Sequence, residues 1–337
     1  MSSPNTNTDE VLHITCGDCA ANALRQSPVD GEILVWHDPV LEGELRIHDG
    51  DEVYRQVRAQ HFVKQKYVKE YGEALAGLEA RHRKLNGAGG YDEVVLWFDA
   101  CLFDQSILLQ VMDRLSLLEL PDTRLSLLCV GDHAEIDRYL GLGQLSSEQM
   151  AALYPSRHEI TAAEMTLARA AWQALTASDP RDIQRLAEGD CSPLPYLEDA
   201  LHRRLEMFPS TVNGLSRLEQ EILRAVAGGA HEPMAIFRAV QDMEDRPWFG
   251  DIMVWERIDA MAEDRVPLLE VNGPGPLKRP LWEQPQPVED RHIECTDAGR
   301  DVLAGKADRI KLSGIDLWLG GVHLNGNDAH HHLPHGP

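Results

Sequence analysis

The chain of 337 residues is long enough for two or three domains and a sizeable buried core. With 43% hydrophobic and 26% charged residues it has a globular composition, and no apolar run approaches the roughly 18 residues of a membrane span. Acidic residues outnumber basic ones by 55 to 32, so the net charge of -23 disfavours a nucleic-acid coat. The six cysteines are too sparse for a disulfide scaffold, and the N-terminus lacks the basic and apolar segments of a secretory signal. We therefore expect a cytoplasmic protein that does not enter a membrane.

Four short apolar runs, each followed by turn residues, predict buried strands in the first third of the chain. They cover residues 11–15, 32–36, 94–98 and 125–129. Helical patterns lie between them, the longest at about residues 53–85. Strands that alternate with helices predict an α/β fold, with a mainly parallel, Rossmann-like sheet over residues 10–145.

The rest of the chain follows other patterns. Residues 146–210 show only helical patterns and predict a helical connector. This connector ends at a turn cluster near residues 209–214. In residues 211–324, three helices at about 216–227, 233–243 and 248–264 precede strands at about 267–271 and 291–295, the order of a winged-helix domain. Its third helix, where DNA readers carry their contact residues, holds five acids against two arginines, so duplex DNA is not the expected partner. Residues 325–337 predict a disordered tail.

An aspartate follows each of the four predicted strands, and two of these turns add a histidine. The residues are Asp18, Asp38, Asp99, Asp132, His37 and His133. Because ligands of parallel sheets bind outside the carboxyl ends of the strands, we expect these side chains to line one crevice. Crowded carboxylates require a cation or raised pKa values. Asp18, Asp104 and Asp132 could instead cap the helices that follow, an explanation that does not extend to Asp38 and Asp99.

The crevice predicts a metal-assisted site for an anionic small molecule. Asp38, Asp99 and Asp132 are the expected ligands of a divalent cation, and His37 would move protons beside Asp38 and Asp99. Eight basic residues against three acids between residues 55 and 84 form a basic island, from which Arg55 and Arg58 would bind the ligand. The same balance is also typical of a solvent-exposed helix face.

Cys16 and Cys19 form a C-x-x-C motif between a predicted strand and a predicted helix, a setting that lowers thiol pKa values in redox proteins. The later hairpin of a thioredoxin is missing from the pattern, however. Two small residues in a tight turn explain the motif equally simply, and we expect that the two cysteines are not a redox pair.

Six strings together resemble the bacterial domain-of-unknown-function family numbered eighteen thirty-five. They are HITCGD (13–18), WHDPVLEG (36–43), LWFDACLFDQ (96–105), GLGQL (141–145), PSTVNGLSRLE (209–219) and GIDLWLGGVHL (314–324). The resemblance extends from about Leu12 to Leu324 and implies no activity, because none is established for the family. It implies recurring polar positions, and so ligand-binding residues, at Asp18, Asp38, Glu42, Asp104, Gln105 and His323. The family often has Ser at the position of Cys19, which argues against a thiol pair.

Two functions remain open at this point. One is a ligand-binding α/β domain with a divalent cation that acts on a small anionic molecule. The other is a non-catalytic regulator or adaptor, in which the α/β domain senses a ligand and the acidic winged helix contacts another protein. Carboxylates gathered around one point favour the first, and Asp side chains turned onto helix N–H groups favour the second.

Overall fold

The computed structural model describes residues 10–284, 288 and 290–327, and these residues form two compact units. The parallel-sheet unit contains the residues up to Val40, Gly77–Gln173 and Gly189–Ala200. The C-terminal unit contains Leu41–Ala76, Ala174–Glu188 and the residues from Leu201 onward. Each unit is thus assembled from separate stretches, and residues 41–76, which we expected in the α/β domain, belong to the C-terminal unit.

The described strands and helices are as follows in chain order. The strands are β1 (Val11–Thr15), β2 (Glu32–Val35), β3 (Gly43–Glu44), β4 (Glu93–Asp99), β5 (Arg124–Val130), β6 (His158–Glu159), β7 (Leu269–Asn272), β8 (His292–Cys295), β9 (Ile315–Gly320) and β10 (Val322–Gly326). The helices are α1 (Asp18–Gln26), α2 (Asp51–Lys64), α3 (Tyr71–Asn86), α4 (Leu102–Ser116), α5 (Ser147–Leu153), α6 (Ala162–Thr176), α7 (Arg181–Ala187), α8 (Leu197–Leu205), α9 (Arg217–Ala227), α10 (Pro233–Asp242), α11 (Asp251–Glu263), α12 (Asp297–Leu303) and α13 (Arg309–Ser313).

The prediction of a mainly parallel sheet is confirmed. The strand order is β2-β1-β4-β5-β6, in which the first four strands are parallel and β6 is antiparallel to β5. From β1 the chain returns through α1 to β2 on one side, and from β4 it returns through α4 to β5 on the other side. The connections therefore diverge between the carboxyl ends of β1 and β4, which is the topological switch point of the sheet.

The core of the parallel-sheet unit forms on both faces of β4, whose seven residues are all buried. On one face Val95 and Trp97 pack with Val11 of β1 and with Ala20 and Leu24 of α1. The other face is covered by a helix with an extensive buried surface, since α4 buries Leu102, Ile107, Leu108, Val111 and Leu115 among others. Each such large apolar side chain contributes about 1.5–3 kcal/mol, and together they fix the strand ends on which the site lies.

The single long helix predicted at residues 53–85 is wrong, because two helices occupy this region. α2 ends at Lys64, and Lys66 takes a left-handed conformation with φ of 58°. A left-handed residue cannot continue a right-handed helix, so the chain turns before α3 begins at Tyr71. The predicted helical connector also needs correction, since β6 interrupts its helices and joins the sheet.

The C-terminal unit contains the predicted order of three helices, α9 to α11, followed by the antiparallel ribbon of β7 and β8. Thr296 caps α12 by accepting a hydrogen bond of 3.0 Å from the Gly299 N–H. The assignment of these elements to a winged helix stays a prediction. A second sheet, in the order β10-β9-β3, is an addition to the predicted elements.

The strand β10 ends at Gly326, two residues inside the predicted tail. The rest of that prediction, at residues 328–337, lies outside the described residues. No helix in the described part of the chain is long and apolar enough to cross a membrane.

Candidate metal centre

A group of buried carboxylates and partly buried thiols lies at the switch point between β1 and β4. Cys16 directly follows β1, and Asp99 is the last residue of β4. Cys101 occupies the N-cap of α4, and Asp104 lies three residues further, in its first turn. The ends of β1 and β4 and the start of α4 therefore bring all four side chains together at the switch point.

The distances within this group are short. Ligand atoms of Asp99, Cys101 and Asp104 lie within 4.8 Å of one another, and no other group of three such residues does so in the described part of the chain. The Cys16 thiol donates to Asp104 Oδ1 over 2.7 Å. The second Asp104 oxygen accepts from the Asp99 N–H over 2.9 Å, and Asp99 Oδ1 accepts from the Cys101 N–H over 2.9 Å. We call Cys16, Asp99, Cys101 and Asp104 the switch-point cluster.

The two carboxylates of the cluster are removed from water and lack a positively charged partner among the described residues. Asp99 and Asp104 are 6% and 4% exposed, and burial raises the pKa of both carboxyls. The charge of Asp99 raises the pKa of Asp104 further. Burial likewise raises the pKa of the Cys16 and Cys101 thiols. No described basic side chain donates to either carboxylate, so the cluster requires bound protons or a cation.

The backbone at Gly141 lies close to the Asp99 carboxylate and leaves no space for a larger residue. Gly141 has φ of 138°, and a Cβ at this position would overlap Asp99 Oδ2. The neighbouring Leu142 N–H donates to the same oxygen over 3.3 Å. Glycine is therefore required here both by the backbone conformation and by the close approach of the carboxylate.

Two buried hydroxyl groups near the cluster have no hydrogen-bond partner within the described residues. One is Tyr139, whose pKa is raised by burial and then by the charges of Asp99 and Asp104. The other is Thr15, which is 0% exposed. The strand register sets Thr15 beside Trp97, on the face of the sheet that Asp99 shares. Unpartnered buried hydroxyls indicate a place where a bound molecule or ion would supply the missing contacts.

Three predicted site residues converge here. Asp99 and Asp104 belong to the cluster, and Gln105 supports it, since its amide donates to the Asp99 carbonyl oxygen over 2.7 Å. Gln105 also lies 3.2 Å from the Cys129 sulfur. Gln105 thus holds the end of β4 in position.

The other strand-end aspartates lie elsewhere. Asp18 is exposed and pairs with His37 over 3.1 Å, and burial lowers the pKa of His37. Asp132 is exposed in the turn after β5. The capping explanation is wrong for Asp18 and Asp104, because Gly17 and Cys101 occupy the N-caps of α1 and α4, and no helix starts at Asp132. His133, which follows Asp132, accepts from the Glu135 N–H.

Asp38 is buried in a hydrogen-bond network with Trp36. Gln110 donates to Asp38 Oδ2 over 3.3 Å and accepts from the Trp36 indole N–H over 2.6 Å. Asp38 and Asp132 are not part of the metal-compatible group that contains Asp99. The predicted ligand set of Asp38, Asp99 and Asp132 is thus not gathered in one place.

The remaining predicted residues belong to the C-terminal unit. Arg58 is fully buried and donates to the Glu42 carbonyl oxygen over 2.6 Å, while the Glu42 carboxylate accepts from the Tyr67 hydroxyl over 2.9 Å. Arg55 lies 3.8 Å from Asp51. These contacts hold α2 and the segment before it together within this unit.

His323 lies on β10 of the same unit. Its ring stacks on Trp318 with centroids 4.3 Å apart, and its Nε2 lies 2.8 Å from Asp316 Oδ1. His323 is thus held by its neighbours on β9.

Sequence reasoning missed Cys16 and Cys101 as members of the site. The sequence contained a signal for both, because Cys16 directly follows a strand and Cys101 comes shortly after one, as the aspartates do. Compared with models of known families the chain matches none, and a search of curated proteins finds no similar sequence. The family resemblance drawn from the six strings therefore stays a prediction.

Proposed function

We propose that the parallel-sheet unit binds a divalent transition-metal ion at the switch point and presents it to a small molecule. Asp99, Cys101 and Asp104 are its ligands. The observation that carries the proposal is the meeting of two buried carboxylates with partly buried thiols, without a basic side chain, where parallel sheets bind ligands. The anionic substrate and the metal-assisted reaction expected from the sequence belong to the same proposal.

The donor set favours Zn²⁺. A thiolate with two carboxylates combines soft and hard ligands, which suits a borderline ion better than Mg²⁺ or Ca²⁺. Tetrahedral Zn²⁺ with bonds of about 2.0–2.3 Å separates its ligand atoms by roughly 3.5 Å. The ligand atoms of Asp99, Cys101 and Asp104, all within 4.8 Å of one another, need to move only slightly to reach this geometry.

Cys16 has a different role in this proposal. Its thiol donates to Asp104 and so orients a ligand, as outer groups do around many metal ions. Three protein ligands then leave one position open, which is typical of catalytic rather than structural zinc. The hydroxyls of Thr15 and Tyr139 would contact the molecule bound at that position.

A titration of the metal-free protein with Co²⁺ tests the site. We expect one equivalent to bind with a thiolate-to-cobalt charge-transfer band, and Cys101→Ser to abolish that band. Asp99→Asn and Asp104→Asn should each weaken binding by at least about tenfold, the lower end of the loss seen around metal ions.

Two further cysteine variants complete the experiment. Cys19→Ser is the matched control, because Cys19 is exposed and outside the cluster. Cys16→Ser should retain the band, since a serine hydroxyl can also donate to Asp104. A protein that binds no Co²⁺, or a Cys101→Ser variant with an unchanged band, would disprove the metal site. Loss of the band in Cys16→Ser would show four protein ligands and so contradict the open position.

The C-terminal unit supports the second candidate, a winged helix that contacts proteins instead of DNA. Two acids of α11 are engaged within the unit, since Glu256 pairs with Lys278 over 2.7 Å and Asp259 accepts from the Lys278 N–H. Asp264, just after α11, pairs with Arg309 over 2.7 Å. A helix with more acids than bases, several of them held in such contacts, offers no basic face to the phosphate backbone of DNA.

A further inference from the structure

The C-terminal unit contains a cavity of about 230 Å³ that is separate from the residues of the metal site. Its walls include Arg203 of α8, Trp248 before α11, and Arg257 within α11. We call it the Trp248 cavity. At about 30 Å³ per water molecule, it has room for a small organic acid or a phosphate-sized ion with several waters.

Two hydrogen-bond donors on its wall lack acceptors. Trp248 is 5% exposed, and its indole N–H has no partner in the part of the chain that the structure describes. The same holds for Nη1 of Arg203, a buried atom. The indole and the guanidinium both act only as hydrogen-bond donors, so each of them needs an acceptor. Buried donors of this kind cost free energy until an acceptor reaches them.

The rest of Arg203 is held in place. Its Nε lies 3.0 Å from both oxygens of Glu244, and its guanidinium carbon lies 5.3 Å from the centre of the Trp248 ring. Glu244 is buried as well. The orientation of Nη1 is therefore fixed before any ligand binds, which reduces the entropy cost of binding.

The carboxylates of the cavity wall are already paired. Glu219 and Asp264 both contact Arg309, and Glu219 also accepts from the Ser216 N–H over 2.8 Å. Arg257 has a looser contact, an ion pair with Glu42 over 3.6 Å, its one ion pair among the described residues. The cavity groups without a close partner are thus the Trp248 and Arg203 hydrogen-bond donors and the positive charge of Arg257. Such groups would repel a metal cation, which excludes it as the occupant.

We propose that the Trp248 cavity binds a small oxyanion, a carboxylate or a phosphate, through the Trp248 indole N–H and the guanidinium groups of Arg203 and Arg257. The indole and Arg203 Nη1 each supply one hydrogen bond to an oxygen of the ligand. Arg257 supplies a positive charge, and its ion pair with Glu42, over 3.6 Å, is longer than a hydrogen bond. Hydrogen bonds from guanidinium groups to anions are about twice as strong as neutral ones, which gives the site its preference for an anion.

Nuclear magnetic resonance of the indole N–H groups tests the proposal in the full chain. Seven tryptophans give seven indole resonances, and the one absent from Trp248→Phe belongs to Trp248. Titration with inorganic phosphate and, separately, with succinate should move that resonance downfield as the N–H gains an acceptor. A response to one probe alone identifies the ligand as a phosphate or as a carboxylate.

Calorimetry on variants gives the second measurement. Trp248→Phe keeps an aromatic ring and removes the N–H, so we expect about tenfold weaker binding of the responsive probe, the loss of roughly one hydrogen bond. Trp282→Phe is the control, because Trp282 is 45% exposed and outside the cavity wall. The proposal is overturned if neither probe moves the Trp248 resonance at millimolar concentration, because the cavity would then bind only water. Equal affinities of Trp248→Phe and the unsubstituted protein would overturn it as well.

Discussion

Glu93 provides a sharp test of the electrostatics of the parallel-sheet unit. It lies at the start of β4, its side chain is 2% exposed, and its oxygens accept from Arg124 over 2.8 Å and from Arg157 over 3.0 and 3.1 Å. Ser126 donates over 2.5 Å. Burial alone would raise the pKa of Glu93, but these hydrogen bonds lower it from 4.5 to about 2. A shift of this size corresponds to about 3 kcal/mol.

The change Glu93→Gln should therefore lower the free energy of unfolding at pH 7. Because Arg124 and Arg157 are partly exposed, solvent screening reduces the expected loss to about 2 kcal/mol. A group with a lowered pKa stabilises the fold above its unfolded value near 4.5 and loses that effect as the pH falls towards 2. The difference between the variant and the unsubstituted protein should thus be full at pH 7 and shrink steadily below pH 4.5.

Urea unfolding followed by tryptophan fluorescence measures this difference, since Trp97 lies in the same sheet. Glu119→Gln serves as the control, because Glu119 is exposed in the same unit and its loss should change stability by less than about 0.5 kcal/mol. Equal losses in the two variants at pH 7 would refute the reasoning. A Glu93→Gln deficit that stays constant from pH 7 to pH 3 would do the same.

Three further predictions follow from the site and the charge distribution. Gly141→Ala should destabilise the fold and weaken Co²⁺ binding, because its Cβ would displace the Asp99 carboxylate, whereas Gly17→Ala, with open space around it, should change neither in the same titration. Cys16 and Cys19 should not form a disulfide in a glutathione redox buffer, because the Cys16 thiol is turned to Asp104; mass spectrometry after alkylation would reveal such a bond if the expectation is wrong. Fluorescence anisotropy with labelled duplex DNA at low salt should show no saturable binding, and tight binding that weakens steeply with salt would contradict the charge argument.

The main strands could be predicted from the sequence because burial on both faces leaves a continuous apolar run, as in residues 94–98 of β4. The two-residue strands β3 and β6 are too short to show any period. The break between α2 and α3 was missed because Lys66 takes the left-handed conformation without the glycine or proline that marks most such turns. Tertiary contacts of the neighbouring residues, such as Tyr67 with Glu42, favour that turn and leave no local signal.

The site was predictable only where chain neighbours form it. Asp99, Cys101 and Asp104 lie within six residues, so one strand end and one helical turn bring them together whatever the order of the strands. For Asp38 the order of the strands in the sheet decides. β2 lies two strands from β4, and neighbouring strands are about 4.8 Å apart, so the ends of β2 and β4 are separated by roughly 10 Å. Two carboxylates cannot share an ion over that distance from strand ends alone, and the strand order was not readable from the sequence.

The two proposed sites follow from opposite imbalances in buried polar groups. In the parallel-sheet unit, Asp99 and Asp104 are buried acceptors without a positive charge, and a cation restores the balance. In the C-terminal unit, Trp248 and Arg203 present buried donors without an acceptor, and an anion restores it. Buried charges without a counter-charge and buried donors without an acceptor both reduce stability, so their retention indicates a bound partner rather than a packing defect. Because the missing charge has the opposite sign at each site, no single ligand satisfies both, and the protein is expected to bind two.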